Sequence, residues 1–206
     1  MKNNIVSGTE GYASQAPFLL EQYEKLSFEE SYVAAITYFP QMPSKILDIG
    51  SGTGRDAAWL DERGHDVIAA EPTKEMREGA IRLHPSPDIR WLDDSLPDLE
   101  KIRNLNEQFD FILINAVWMH LDKDQRDTAM KHVSALLGQD ARLFISLRHG
   151  PVPNGRQMFA VSAEETIELA SSFKLIPIYN ERTESLLPSN KATGVWWTKL
   201  IFERQA

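Results

Sequence analysis

The 206-residue chain contains no cysteine. Disulfide stapling, thiolate nucleophiles and cysteine-ligated clusters are therefore excluded. It also lacks any stretch approaching the roughly 18 apolar residues of a membrane-spanning helix. Residues 1–7 hold a single lysine and no apolar run, which predicts no leader peptide. A cytoplasmic protein without membrane contact is the expectation. Positive charge is scarce: 22 Lys and Arg stand against 30 Asp and Glu, a net charge of −8. A nucleic-acid partner needs a basic face to displace counterions from phosphates, so the global field argues against one. No Pro/Gly/Ser-rich linker, repeat or low-complexity segment interrupts the chain. With 42% hydrophobic residues, one domain with a sizeable core is expected over residues 1–206.

What is present is an alternation of periods. Residues 14–39 read as two helices. Phe18, Leu19, Tyr23 and Leu26 mark the first; the second opens at Ser27-Phe28-Glu29-Glu30 and runs to Pro40. Residues 1–43 thus form a helical N-terminal cap on a core of 44–206. Short apolar runs at 45–49, 67–70, 89–92, 109–114 and 142–147 read as strands, with helices at 57–63, 73–83, 122–137 and 162–173. Strands alternating with helices imply βαβ units and a mostly parallel sheet covered on both faces. Residues 174–182 and 195–203 are two further strands. The loop between them, 183–193, is too short for a helical crossover, so they pair antiparallel at the sheet edge. The expectation is an α/β fold: a three-layer αβα sandwich whose seven-stranded, mostly parallel sheet ends in an antiparallel β-hairpin.

The strongest local signal is Asp48-Ile49-Gly50-Ser51-Gly52-Thr53-Gly54, a glycine turn between a strand and a helix. Glycine permits positive φ, and the missing side chains let a ligand touch the backbone beside a helix N-terminus. The nicotinamide pattern G-x-G-x-x-G would place its third glycine at position 55, which is Arg55. A second element lies one βαβ step on: Glu71, before Pro72, ends the second strand, where an acid can accept hydrogen bonds from a ribose diol.

These residues resemble the class I S-adenosylmethionine-dependent methyltransferases, over about residues 12–204. The resemblance implies that the loop of Asp48, Gly50, Ser51, Gly52, Thr53 and Gly54 carries the methionine part of the cofactor. It implies further that Glu71 and Pro72 meet the ribose and that Met76 packs on the adenine. In Asp93-Asp94-Ser95-Leu96-Pro97, Asp94, with Asp93 as rival, matches the acid that binds the adenine amine, beside Ser95 and Leu96. Asn115 and Ala116, ending the fourth strand, match the segment under the cofactor. The implied cofactor is S-adenosyl-L-methionine, with S-adenosyl-L-homocysteine as product, and the implied reaction is a direct in-line displacement. Such chemistry needs alignment and exclusion of water more than it needs a catalytic group.

Candidates for a base lie on loops at the strand ends. His120 follows the fourth strand; it could serve as base, cap the next helix or pack beside Trp118. The loop after residue 147 holds Arg148, His149 and Arg156. It reads as a pocket for a carboxylate or phosphate, or as an ordinary solvated loop, and His149 is a second candidate base. Tyr12 and Tyr23 in the cap are candidates for substrate contact, as is Trp118, whereas Tyr32 reads as packing. Arg55 either reaches the cofactor carboxylate or begins its helix. Trp196 and Trp197 point to opposite faces of the last strand, at least one of them into the core.

The N/D/S-P-P-Y/F motif of nucleic-acid amino methyltransferases is missing; Asn115-Ala116-Val117-Trp118 stands there instead. No His/Cys cluster has metal spacing, and Asn115 and Arg148 do not supply the acids of a magnesium-dependent site, so no metal is expected. A small-molecule acceptor, anionic if the 148–156 loop binds it, is favoured for O- or N-methylation. A protein or peptide acceptor and a non-catalytic cofactor-binding subunit are the alternatives, in a monomer or homodimer.

Overall fold

A computed structural model describes residues 6–205. The expectation of no leader peptide falls mainly on residues 1–5, outside the described part. Helix α1 (Tyr12–Glu24) and the short α2 (Phe28–Tyr32) precede a 3-10 turn at Ile36–Tyr38. The core then runs β1 (Lys45–Ile49), α3 (Arg55–Asp61), β2 (Asp66–Ala70), α4 (Lys74–Leu83), β3 (Arg90–Leu92), α5 (Glu100–Arg103) and β4 (Phe109–Ile114). After a 3-10 turn at Trp118–His120 come α6 (Lys123–Leu136), β5 (Leu137–His149), α7 (Ala163–Ser171), β6 (Leu175–Glu184), α8 (Pro188–Ala192) and β7 (Trp196–Arg204).

The seven strands form one sheet in the order β3-β2-β1-β4-β5-β7-β6. β1 through β5 are parallel, and β7 runs antiparallel between β5 and β6. The expected sandwich with its terminal hairpin is therefore present. Alternation along the strands makes two cores, one on each face. Leu47, Ile49, Ile68, Ile112 and Ile114 pack toward Trp118, Met130 and Val133 of the α6 side. Ile46, Val67, Ala69, Phe111 and Leu113 pack toward Phe28, Tyr32, Ala57 and Leu60 of the cap and α3. Among the described residues no helix is long and apolar enough to cross a membrane.

Several boundaries differ from the sequence expectation, each for a local reason. The second cap helix ends at Tyr32; Ser27 caps its start through the Glu30 amide, but the chain then loosens into turns so that Phe39 can join the core. α6 stops at Leu136 instead of Leu137, and β5 begins at once; it is longer than 142–147 at its start, where Leu137 pairs with Phe109 of β4, and at its end, where β7 pairs with it as far as His149. α5 and α8 form inside expected loops, each a single turn. Of the two tryptophans expected to divide between the faces, Trp197 is partly buried against the α6-side core and Trp196 is half-buried outside it.

The chain leaves β1 toward β2 and β3, then returns to place β4 and β5 on the other side of β1. That reversal opens a crevice beyond the carboxyl ends of β1 and β4. Helix α1 lies across it and packs on α4 through Ala16, Leu19 and Met76.

Candidate functional site

A cavity of about 460 Å3 occupies this crevice. One end is the glycine turn. Gly50, Gly52 and Gly54 all have positive φ, but they do different work. A Cβ on Gly50 would sit 2.3 Å from Val117, and one on Gly54 would sit 2.5 Å from Trp91, so these two permit close packing of loop and helix. A Cβ on Gly52 would meet only the Gly50 carbonyl, at 3.9 Å. Gly52 thus presents bare backbone to open space, and it lines the cavity with Gly50, Ser51 and Thr53, whereas Gly54 does not.

Glu71 stands across from this turn. Its Oε2 accepts from the Gly52 amide at 3.0 Å and its Oε1 from the Thr73 amide at 2.8 Å. Burial raises its pKa, and the two amides oppose that shift. Each carboxylate oxygen retains a lone pair for a further donor. Pro72, Met76, Ser95, Leu96, Asn115 and Ala116 also line the cavity. Asp94 does not. Its oxygens accept from the amides of Ser95 and Ile102, at 2.9 and 2.8 Å, and so fasten the turn into α5. Its rival Asp93 faces Arg77 and Lys101. Both acids are thus engaged away from the cavity, and of residues 93–97 only Ser95 and Leu96 line it.

The centre of the floor is polar. Asp48 is 2% exposed, and its Oδ2 has no partner among the described residues. Burial, reinforced by nearby Asp56, raises its pKa well above the carboxylate range. Ser51 Oγ is likewise buried without a partner. Asp56 accepts from Arg55, from the Tyr32 hydroxyl and from Asn115 Nδ2. Arg55 also donates to the carbonyls of Tyr23 and Leu26, so it ties the cap to α3.

His120 and Tyr12 form the wall beside Asn115. His120 Nδ1 lies 2.7 Å from the Gln157 carbonyl, which can only accept, so the proton is on Nδ1. Nε2 is then an acceptor, and the Tyr12 hydroxyl lies 3.2 Å from it. Burial lowers the His120 pKa, with the Gln157 carbonyl opposing and Arg156 adding to the fall; burial raises that of Tyr12 far above the usual phenol range. The imidazole is therefore neutral at neutral pH. Arg156 lies over the Tyr12 ring at 3.9 Å and donates to the Glu10 carbonyl and to Gln15. It thereby pins the start of α1 over the cavity.

Two candidates fall elsewhere. Trp118 is fully buried in the core on the α6 side and does not line the cavity. His149 projects from the sheet face opposite to Arg148, because neighbours in a strand alternate. There it stacks on Trp196 at 3.8 Å and meets Thr198 Oγ1 at 2.9 Å. Replacing His149 by Ala should leave turnover at the cavity within about twofold of wild type, since contacts of this kind outside a site are worth little; a hundredfold loss of turnover would return it to the site.

Conversely, the sequence reading missed Lys199, Trp197 and the segment 183–190, all of which line the cavity. No motif marks them. Only β7's position beside β5 brings them to the crevice.

Comparison with known proteins agrees with this architecture. Residues 46–140 match the family described as "Methyltransferase domain". An uncharacterized methyltransferase of Alkaliphilus oremlandii is 28% identical over 100 residues, 48% of this chain and 44% of that protein. One of Staphylococcus carnosus is 27% identical over 101 residues, 49% of this chain and 45% of the relative. The match thus spans less than half the length of these relatives. In fold, the chain is similar to the N-methyltransferase NodS of Bradyrhizobium japonicum, solved with S-adenosylhomocysteine, at a TM-score of 0.70 and 14% identity over 94% of this chain and 98% of that one. It is also similar to the Burkholderia thailandensis 1,6-didemethyltoxoflavin-N1-methyltransferase, at a TM-score of 0.64 and 18% identity over 100% and 94% of the two chains. The glycine turn, the strand order with its antiparallel hairpin and the match of residues 46–140 make the chain similar to the class I S-adenosylmethionine-dependent methyltransferases, in fold over its length and in sequence over that segment.

Proposed function

We propose that this protein is an S-adenosylmethionine-dependent methyltransferase that delivers a methyl group to an oxygen or nitrogen of a small molecule. The observation that carries the reading is the bare backbone at Gly52, open to a cavity and held against Glu71. The residues fit the cofactor on structural grounds: a side chain at 52 would fill the cradle, and Asp48 and Ser51 offer buried polar atoms with no partner among the described residues. Gly50, Ser51, Gly52 and Thr53 would hold its methionine part, Glu71 and Pro72 its ribose, and Met76, Ser95 and Leu96 its adenine. When bound, S-adenosylmethionine supplies a methyl group on a positively charged sulfur, already activated for direct displacement.

The chain's own tasks are alignment, exclusion of water and proton removal. Helix α1 and the loop that carries Arg156 cover the crevice, which supports a sequestered reaction. Neutral His120, oriented by the Gln157 carbonyl, holds its acceptor nitrogen Nε2 against the Tyr12 hydroxyl, so it takes a proton from an acceptor hydroxyl or amine that displaces that hydroxyl or hands its proton on through it. Asn115 accepts from Ser146 and donates to Asp56, so its amide is fixed in the floor. The cavity's extension past Asn115 to Trp197 and Lys199 favours a catalytic protein over a binding-only subunit, whose acceptor space would be blocked. It also favours a small molecule over a protein or peptide substrate, because α1 and the 183–190 segment wall it. The reading includes one methyltransferase unit over 1–206 with its cap at 1–43, a cytoplasmic setting and a monomer or homodimer.

Calorimetric titration tests the cofactor. S-adenosylhomocysteine should bind at micromolar strength or better and NADH should not, on the order of the affinities such sites reach; binding of NADH alone would overturn the reading. Glu71→Ala should weaken S-adenosylhomocysteine by about 1–3 kcal/mol, the worth of a hydrogen bond to a charged group. A labelled-methyl screen against metabolite extracts then identifies the acceptor.

A further inference from the structure

The far end of the cavity has a different character from the cofactor end. Its floor is the antiparallel part of the sheet, where Arg148 pairs with Trp197 and Ser146 with Lys199. Alternate residues of a strand share a face, so these four side chains project together. All four line the cavity. Lys199 is the diagonal neighbour of Arg148 across the β5–β7 ladder, a separation that long side chains span.

The charges there do not balance. Of the other cations on the cavity wall, Arg55 is paired with Asp56, and Arg156 is held by the Glu10 carbonyl, by Gln15 and by the Tyr12 ring. Arg148 and Lys199 have only uncharged partners: Arg148 Nη1 donates to the Pro151 carbonyl at 2.7 Å and lies 4.0 Å from Met158 Sδ, and Lys199 Nζ donates to the Ser31 carbonyl and lies 5.8 Å from the centre of the Tyr32 ring. Among the described residues neither has an ion-pair partner. The acids nearby are otherwise engaged. Asp56 already serves Arg55, Tyr32 and Asn115, and Glu184 is largely exposed beside Arg182. Both cations are half-buried, and burial lowers the pKa of each. A cation withdrawn from water without an opposite charge is costly, and a bound anion offsets that cost.

We propose that Arg148 and Lys199 form an oxyanion subsite, so that the methyl acceptor carries a carboxylate or phosphate group at the end of the cavity floored by β5 and β7. The inference rests on the methyltransferase reading above and names its substrate class. The guanidinium fork supplies directional donors and the ammonium a point charge, while Trp197 between them offers an apolar surface to the acceptor's body. The subsite differs from the 148–156 loop expected from sequence, because its second cation comes from the last strand and Arg156 is occupied with the cap.

The test uses the full chain saturated with S-adenosylhomocysteine. Inorganic phosphate is titrated calorimetrically, with acetate in a parallel arm. Wild type should bind one equivalent of at least one of the two anions, and which of them is preferred distinguishes a phosphate from a carboxylate acceptor. Arg148→Met and Lys199→Met should each weaken that binding about tenfold or more, the loss expected for one charge-assisted contact. Exposed Lys123→Met, outside the cavity, should not. Arg148→Lys and Lys199→Arg keep the charge and should retain most of the binding; they serve also if the methionine variants do not fold. Neither anion binding to wild type, or equal binding to the doubly substituted protein, would overturn the subsite. Binding of S-adenosylhomocysteine in the same samples separates the two readings: its failure overturns the methyltransferase, and its success beside absent anion binding overturns only the subsite.

Discussion

Gly52→Val yields a folded protein that no longer binds S-adenosylhomocysteine. The variant's added methyl groups project into the open space of the cavity, since even a Cβ there has only the Gly50 carbonyl nearby, at 3.9 Å. They occupy the volume that the cofactor would take against the backbone. The φ of +56° at this position adds strain of about 1–2 kcal/mol for a side chain, tolerable for most domains but measurable in a melt. Gly52→Ala carries the same strain with a smaller obstruction and should weaken binding less than Gly52→Val. Gly54→Val provides the contrast: its Cβ would lie 2.5 Å from Trp91 and 3.1 Å from Ala80, so it should damage the fold itself. Circular dichroism and calorimetry on the three proteins check this. A folded Gly52→Val protein with wild-type affinity refutes the cofactor assignment.

His120→Asn should lower kcat by about 100- to 10,000-fold on the acceptor found by the labelled-methyl screen, the usual scale for loss of a general base. Asparagine can keep a donor toward the Gln157 carbonyl where Nδ1 now lies, and it lacks the acceptor at Nε2. Affinity for S-adenosylhomocysteine should stay the same, which separates a lost proton acceptor from a collapsed wall. The pH profile supplies a second readout. Proton removal needs the neutral ring, and burial holds the His120 pKa below its ordinary 6.5. Wild-type turnover should therefore be flat through neutral pH and fall as the pH drops through that lowered value. The variant should lose this acid limb. Unchanged kcat in His120→Asn would mean that the acceptor loses its proton unaided.

The glycine turn and the acid opposite it were readable because they sit in nearly contiguous residues. A strand, three glycines at alternate positions and an acid one βαβ step later are all short-range features, and the backbone conformations they need are local. The acid after the third strand shows where letters alone do not decide, since neither candidate lines the cavity. Asp93 and Asp94 are equally plausible as letters, but which carboxylate faces a ligand depends on which amide reaches it first. Here the α5 turn claims Asp94 and two cations face Asp93. His149 failed for a related reason: one step along a strand reverses the face, and adjacent Arg148 and His149 were separable only once β7 had set the register.

Composition and pattern alone determined the class of fold, the parallel sheet with its final hairpin, the turn at 50–54 with Glu71, and the absence of any thiol chemistry. These follow from periodicity and from what glycine and carboxylate can do among near neighbours. Only tertiary structure decided that β7 lies between β5 and β6, that Lys199 and Trp197 reach the same cavity as Gly52, that Tyr12 meets His120 across 108 residues, and that Arg156 serves the cap. Contacts between residues so distant in the chain are settled by how the layers pack and which strands pair, and no local preference encodes them.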